Sequence, residues 1–171
     1  MDVSVQQSPP NNMNLTTAQQ ATLKTDANSQ GSLTAAIAAG NWAPVVAFYN
    51  GPSVTAVWIP NVPVTTILAA TNWTTFAAKT SLQQITYLAM TSQSFLDATN
   101  ANYRNGFAAV FSGADLTALS NAAQRTGTRL EILLASSAGP PAVCGIDANG
   151  INLFGQQIAE LDAQQAIAGT S

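Results

Sequence analysis

Eight carboxylates, five cationic side chains and a single cysteine must supply nearly all the acid–base and nucleophilic chemistry available to this 171-residue chain, and there is no histidine. That absence removes the Ser-His-Asp and Cys-His arrangements and the commonest general base. One cysteine, Cys144, with no histidine cannot build a typical structural zinc site and cannot form an intramolecular disulfide. Flanked by apolar residues, it reads as a small buried hydrophobe. Neither a G-x-x-x-x-G-K-[ST] phosphate loop nor a G-x-G-x-x-G dinucleotide loop occurs. Paired carboxylates remain as candidates for acid–base work. Asp147, Glu160 and Asp162 lie near one another, and Asp97 and Asp115 flank the segment 100–113. All stand where helix caps and dipole partners stand. Asp147-Ala148-Asn149-Gly150 looks like the opening of a calcium loop, but the other oxygen ligands and the closing Glu are missing, so it reads as a turn. The sequence therefore nominates no catalytic, cofactor-binding or metal-ligating residue, and the expectation is a protein that is not an enzyme.

The scarce cations are the residues that remain to be explained. Arg104 falls in the first turn of a helix carrying Tyr103, Phe107, Val110 and Phe111, where the helix dipole disfavours a positive charge. It needs a specific partner: Asp97, Asp115, or a carbonyl on a neighbouring segment. Arg125 and Arg129 lie four apart across a helix boundary, and Arg129 is too close to Glu131 to face it on a helix. The three arginines are read either as anchors within the fold or as contacts between subunits. As interface candidates they stand beside Val3 and Val5, which alternate with polar residues in an N-terminal segment that could form a short strand on a partner.

Apolar residues make up 47% of the chain, and a chain of this length buries roughly 70% of its unfolded surface, so a core needs no staple. Charged residues make up only 8%, against the ~25% usual in soluble domains. The polar surface must then be Thr, Ser, Asn and Gln. Such a surface suits packing against copies of itself or a partner, although an Ala- and Thr-rich soluble domain would share it. A net charge of −3 with no basic cluster argues against direct nucleic-acid reading, which needs cations on one face. The start, MDVSVQQSPPNNMN, has neither the charged nor the apolar region of a secretory signal, and no run approaches the ~20 apolar residues of a membrane span. No membrane is expected as a partner.

The elements that must position these groups are short. Residues 1–14 read as an extended or disordered arm. Thr16 or Thr17 caps a helix to Ala27, Ser32 caps another ending before Gly40, and Asn41 caps a third over Trp42–Tyr49 with Pro44 in its first turn. The β-branched stretch Val54–Pro60 predicts a strand. Short helices follow from Pro63 to Thr71 and from Thr80 to about Gln93, the latter with Leu82, Ile85, Leu88 and Ala89 as its core stripe. Trp73 and Phe76 lie in a loop or helical turn, and Phe95 and Leu96 anchor the next one. Asn100 caps a helix to Ser112, closed by Gly113. Ala114–Arg125 forms another, with Leu116 and Leu119 inward. Thr128 and Glu131 form a capping box. Beyond a linker at 136–141, Asn149-Gly150 signals a type I′ hairpin, and a helix from Gly155 to about Ala168 buries Ile158, Leu161 and Ile167. The expected fold is mainly α, about six to eight short helices with one or two minor strand or hairpin segments. Its expected organisation is an arm at 1–14, a helical domain at 15–135, and a tail at 136–171 holding the linker, hairpin and last helix.

Four segments in order carry a resemblance. Leu15-Thr16-Thr17-Ala18-Gln19 with Leu23-Lys24 follows L-T-x-A-Q-x-x-x-L-K. Val57-Trp58 through Val64 follows V-W-x-x-x-V-x-V, Asn100 through Phe107 follows N-x-x-x-R-x-G-[FIL], and Arg125 through Leu133 follows R-x-x-T-R-x-E-x-L. Over about residues 15–140 the chain resembles an uncharacterised family of small structural proteins of tailed bacteriophages and prophages. It departs after the linker, where the family pattern has a strand and an acidic short helix and only Ile151 to Leu161 is loosely comparable. The resemblance implies a virion protein assembled in the host cytoplasm. The placement it favours is a head-to-tail adaptor or connector in the neck, forming a ring of copies between portal and tail proteins. A capsid decoration or tail-associated protein is the near alternative. A soluble helical binding or regulatory domain, with Trp42, Trp58 and Trp73 lining an apolar pocket, is the different one.

Overall fold

Whether each helix turns its apolar side inward is decided by what lies beside it. The computed structural model of the chain describes residues 13–137 and 139–169. Val3, Val5 and most of the expected arm lie outside them. The described residues contain ten helices and four short strands in two antiparallel pairs, so the fold is helix-rich but mixed, with more elements than the periodicity predicts. The contacts divide the described residues into two compact units: 13–52, 128–134 and 145–169 form one, and 53–127 with 135–137 and 139–144 form the other. This partition does not follow the sequence division at 135/136, because the chain leaves the first unit and returns to it twice.

The first unit holds α1 (Thr17–Ser29), α2 (Thr34–Ala38), α3 (Ala43–Asn50), α9 (Arg129–Leu133) and α10 (Glu160–Ala168), taking labels in chain order over the whole protein. Thr16 caps α1, accepting from the Gln19 amide at 3.2 Å while the Thr16 amide donates to the Gln19 side-chain oxygen at 2.9 Å. Neither Ser32 nor Asn41 caps. Leu33 and Trp42 occupy those positions with no side-chain cap bond, in helical conformation. In both cases the chain turns one residue later than the cap chemistry suggests, which lets Leu33 and Trp42 enter the core. Gly40 does take the left-handed conformation, φ 65°. Leu23, Val45, Tyr49, Leu130, Leu153 and Ile158 are central to this core. Met13 and Leu15 are also buried, so the end of the expected arm belongs to it.

The segment 145–159 is pinned backbone rather than helix, and α10 starts only at Glu160, with Leu161 exposed where the pattern put it inside. Two contacts explain the delay. The Asn50 side chain bonds both the amide and the carbonyl of Ile158, each at 2.9 Å, holding that residue extended. Asp162 then accepts from the Ala159 amide at 3.1 Å, fixing the first turn. The hairpin forms, with Ile146 bridged to Asn152. Its turn is not type I′, because Gly150 alone carries positive φ (77°) while Asn149 does not. The Asp147 carboxylate accepts from Asn149 and Ile151 amides, both at 2.8 Å, and closes the loop.

The second unit runs β1 (Pro52–Trp58), β2 (Val62–Pro63), α4 (Val64–Ala70), α5 (Trp73–Ala77), α6 (Ser81–Met90), β3 (Phe95–Leu96), α7 (Ala101–Val110), α8 (Gly113–Ala122) and β4 (Gln124–Thr128). β1 pairs with β4, and Val62 and Pro63 pair antiparallel with Leu96 and Phe95. The strand β4 replaces the last turn expected of the preceding helix. The expected linker is not free either: the Ser136 amide donates to the Val143 carbonyl at 2.9 Å, and just after the linker Ala142 joins β1, donating to Ala56 at 2.9 Å and accepting from Trp58 at 3.0 Å.

The sharpest departure is α6. Its inward residues are Gln83, Gln84, Tyr87 and Met90, while Leu82, Ile85 and Leu88 are 74%, 64% and 51% exposed. Short neighbouring helices end against it, and their last carbonyls need donors. Gln84 Nε2 donates to Phe76 and Ala77 carbonyls, both at 3.2 Å, and Gln83 Nε2 donates to Ala109 at 3.0 Å. Tyr87 fills the space between, with ring centroids 5.2 Å from Phe76 and Phe111 and 6.0 Å from Phe107. Its hydroxyl meets that of Thr71, whose own proton goes to the Ile67 carbonyl at 2.8 Å, so Tyr87 is the donor of the pair.

One backbone approach gives a direct test of the first unit. A Cβ on Gly145 would sit 2.2 Å from the Leu134 carbonyl oxygen, whereas one on Gly31 meets nothing within 4 Å. Gly145→Ala is expected to destabilise the protein by more than about 2 kcal/mol. Gly31→Ala should stay within about 1 kcal/mol of wild type. Urea denaturation of both variants checks the pair.

Candidate functional site

The carboxylates that sequence position grouped as acid–base candidates have separate local roles in turns and at helix starts. Asp97 accepts from the amide of Thr99 at 2.9 Å and from its hydroxyl at 2.5 Å. Asp115 lies in the first turn of α8 and accepts from the Asn72 side chain at 3.0 Å. Asp147 holds its turn, and Asp162 and Glu160 lie in the first turn of α10. Among the described residues no three His, Cys, Asp or Glu side chains come together in a geometry that could hold a metal ion. Cys144 is buried. No described helix is long and apolar enough to cross a membrane.

Two carboxylates have deeper roles. Glu131 has no exposed surface. It accepts from the Thr128 amide at 2.8 Å and, across the first unit, from the Gly155 amide at 2.6 Å, so the capping box expected from T-x-x-E is also a tertiary clamp. Asp26 accepts a hydrogen bond from the Tyr49 hydroxyl at 2.7 Å. Burial, followed by the hydrogen bond to Asp26 and the charge of that carboxylate, drives the Tyr49 phenol far above its ordinary value. Burial also raises that of Tyr87.

Arg104 finds carbonyls rather than acids. Its Nη1 donates to Ala98 at 2.6 Å and Thr99 at 2.7 Å, and the guanidinium lies over the Trp58 ring, 5.1 Å from the centroid. The charge thus locks the turn before α7 onto the end of β1. Arg129 makes a parallel contact in the first unit, its guanidinium 4.3 Å from the Phe48 centroid and Nη1 donating to the Phe48 carbonyl at 3.0 Å. Arg125 Nη1 donates to the Thr126 carbonyl at 2.8 Å. Each of the three arginines is held by carbonyl oxygens, and two are stacked on aromatic rings.

Beside Arg104, an apolar cavity lined by Trp58, Ile67, Leu96, Phe107, Leu119 and neighbours has about 20 Å³ of free space. That is room for about one water, far below the ~300 Å³ at which ligand pockets begin. Neither Trp42 nor Trp73 lines it: Trp42 is in the core of the first unit and Trp73 is half-exposed. Larger hollows, about 430 Å³ beside Asn50 and residues 155–159 and about 500 Å³ along the outer side of α1, lie on the surface of the first unit and are lined mainly by small and amide side chains.

No family of known proteins matches this chain, and neither a curated protein nor a solved structure is significantly similar to it. The reading of function rests on the molecule itself.

What the described surface does display is uncovered apolar side chains. In the second unit these are Leu82, Ile85 and Leu88 on α6, with Val54 on β1, Trp73 and Phe95; in the first they are Ile146 and Ile151 on the hairpin and Leu161. Sequence reasoning assigned Leu82, Ile85, Leu88 and Leu161 to the core. The signal that could have separated α6 is its second stripe, Gln83-Gln84-Tyr87-Met90, which competes with the first for the inward position.

Replacing Arg104 tests its anchoring role. Arg104→Ala is expected to cost about 2–3 kcal/mol, from two carbonyls left without a charged donor and the lost stacking on Trp58. Arg104→Lys should recover part, since an ammonium reaches carbonyls but stacks less well. Thermal or urea denaturation reads both.

Tyr49 gives a pH dependence with a definite sign. In the unfolded chain its phenol ionises near pH ~10, and in the fold it stays protonated well above that. The stability contributed by the neutral phenol is complete below about pH 10 and falls as pH rises beyond it, because only the unfolded state then loses the proton. Tyr49→Phe should be less stable than wild type at roughly pH 8 and show a shallower decline toward roughly pH 11. Unfolding free energies measured across that range check it.

Proposed function

We propose that the chain is a non-enzymatic structural protein of a tailed-bacteriophage virion. Its placement in this proposal is the neck, as a head-to-tail adaptor that assembles as a ring with its own copies and meets portal and tail proteins. The observation that carries the structural role is the pairing of uncovered apolar side chains on α6 with a surface almost free of charge. Burying such a surface against protein removes apolar area from water and strips few ions of their hydration. The enclosed cavity of the second unit, with room for about one water, gives no support to a small-molecule role. The virion placement is supported by the ordered motifs at Leu15–Lys24, Val57–Val64, Asn100–Phe107 and Arg125–Leu133. Two of these motifs contain residues that fasten the fold, Arg104 on Trp58 and Glu131 in its capping box, so the pattern marks structurally demanding positions.

Mass spectrometry of purified virions, with copy number quantified against the portal protein, tests this reading. A small fixed multiple of the portal count is expected for a neck adaptor. Hundreds of copies would place the chain in the capsid or tail tube instead, and absence from virions would overturn the structural reading.

A further inference from the structure

We infer that Asn149-Gly150 is a self-modification site: in the folded protein the Gly150 backbone nitrogen closes on the Asn149 side-chain carbonyl carbon, and the ring opens to aspartate or isoaspartate. The inference goes beyond the virion reading and does not rest on it. Asparagine is a labile residue because its side-chain carbonyl lies within a five-membered ring of the next residue's nitrogen. A following glycine has no Cβ and leaves that nitrogen least hindered. The sequence holds three such pairs, Asn50-Gly51, Asn105-Gly106 and Asn149-Gly150. Their local chemistry is the same, and the fold separates them.

Asn50 is clamped. Its Nδ2 donates to the Ile158 carbonyl and its Oδ1 accepts from the Ile158 amide, both at 2.9 Å, and Ile158 is buried. Turning this carboxamide toward Gly51 would break both bonds. Asn105 and Gly106 lie inside α7, where the helical backbone commits the Gly106 amide along the axis and Gly106 packs against the Met90 sulfur. Asn149 is exposed at the tip of the hairpin with Ala148 and Gly150, and a Cβ on Gly150 would meet nothing within 4 Å. Its Oδ1 accepts from Asn14 Nδ2 at 3.2 Å, and Asn14 is itself held to the loop by the Ala148 amide, which donates to its carbonyl at 2.7 Å. A positioned donor therefore already faces the oxygen on which charge develops when the nitrogen adds. One bond opposes closure, from the Gly150 amide to the Asp147 carbonyl at 3.1 Å; Gly150 is exposed, so water can take its place.

The reaction needs only water. The Gly150 nitrogen gives its proton to hydroxide and bonds to Asn149 Cγ. The Cγ–Nδ2 bond then breaks, and the nitrogen leaves as ammonia with a proton taken from water. A second water opens the cyclic imide at one of its two carbonyl carbons. Opening at Cγ gives aspartate. Opening at the Asn149 main-chain carbonyl carbon gives isoaspartate and places the side-chain methylene in the main chain. Either product adds one carboxylate beside that of Asp147, which closes the loop through the Asn149 and Ile151 amides. The isoaspartyl form also lengthens the main chain between those two amides, so the bonds that close the loop no longer fit together.

The test incubates the full-length protein at mildly alkaline pH, folded and in urea, and follows all three pairs by chymotryptic peptide mapping with mass spectrometry. In the folded protein, aspartate and isoaspartate are expected to accumulate at position 149 at least about tenfold faster than at Asn50 or Asn105. In urea the three sites should convert at similar rates, because only the fold distinguishes them. Asn149→Gln would need a six-membered ring, so it should keep the fold by circular dichroism and lose the main acidic species seen on isoelectric focusing. Four results would each overturn the inference: no conversion at Asn149 in the folded protein over a time that converts it in urea, conversion at Asn50 or Asn105 as fast as at Asn149, a product at 149 that contains no isoaspartate, or an acidic species that persists in Asn149→Gln. Presence in or absence from virions is measured independently, so the two readings can fail separately.

Discussion

A carboxylate with no exposure to solvent fastens the first unit. An ion taken fully out of water is tolerated only when its oxygens are bonded by donors that cannot turn away. Glu131 meets that condition with the backbone amides of Thr128, three residues before it, and Gly155, 24 residues after it. The consequences spread outward. The Thr128 bond starts α9 at the point where the chain re-enters the unit, and α9 brings Leu130 and Leu134 into the core. The Gly155 bond fixes the segment that Asn50 then holds extended at Ile158, and this segment sets where α10 begins. Removing the carboxylate would take the acceptor from the Thr128 and Gly155 amides at both ends of this chain of dependencies.

The second unit solves the same problem almost without ions. Its helices are short, so a large share of their carbonyls lie in last turns and lack intrahelical donors. Amide side chains supply them through Gln83 and Gln84, and hydroxyls do so through Thr71, Thr91 and Ser92. Where a cation is used, as at Arg104, it too serves carbonyls and an aromatic face. A chain with 8% charged residues can be well bonded internally because Thr, Ser, Asn and Gln perform the capping that Lys, Arg, Asp and Glu often share.

The same economy of charge shapes the outside. Turning glutamines inward on α6 leaves leucine and isoleucine outward, so the demand for internal donors and the apolar surface are two sides of one helix. Apolar side chains grouped on one rigid face favour protein contact. A neutral face of this kind has no electrostatic means of steering or excluding partners at long range, so recognition there rests on shape and apolar burial.

Much of the local structure was legible in the sequence because it depends on near neighbours. The capping box expected of Thr128 and Glu131 forms, and of the two caps open to the first helix Thr16 is the one used. The strand at Val54–Pro60, the helix after Pro63, the left-handed Gly40 and the burial of Cys144 were readable for the same reason. Arg104's need for a partner followed from the helix dipole, but its choice of carbonyls over Asp97 or Asp115 did not. What only the tertiary structure decided were the outcomes set by distant groups. The periodicity of α6 specified two apolar-compatible faces, and the carbonyls of α5 and α7 chose between them. Asn50, 108 residues away, delayed α10 and left Leu161 outside. The order of residues determined which groups were able to cap, turn and pack, whereas the satisfaction of buried backbone by distant side chains determined which surface was left for another molecule.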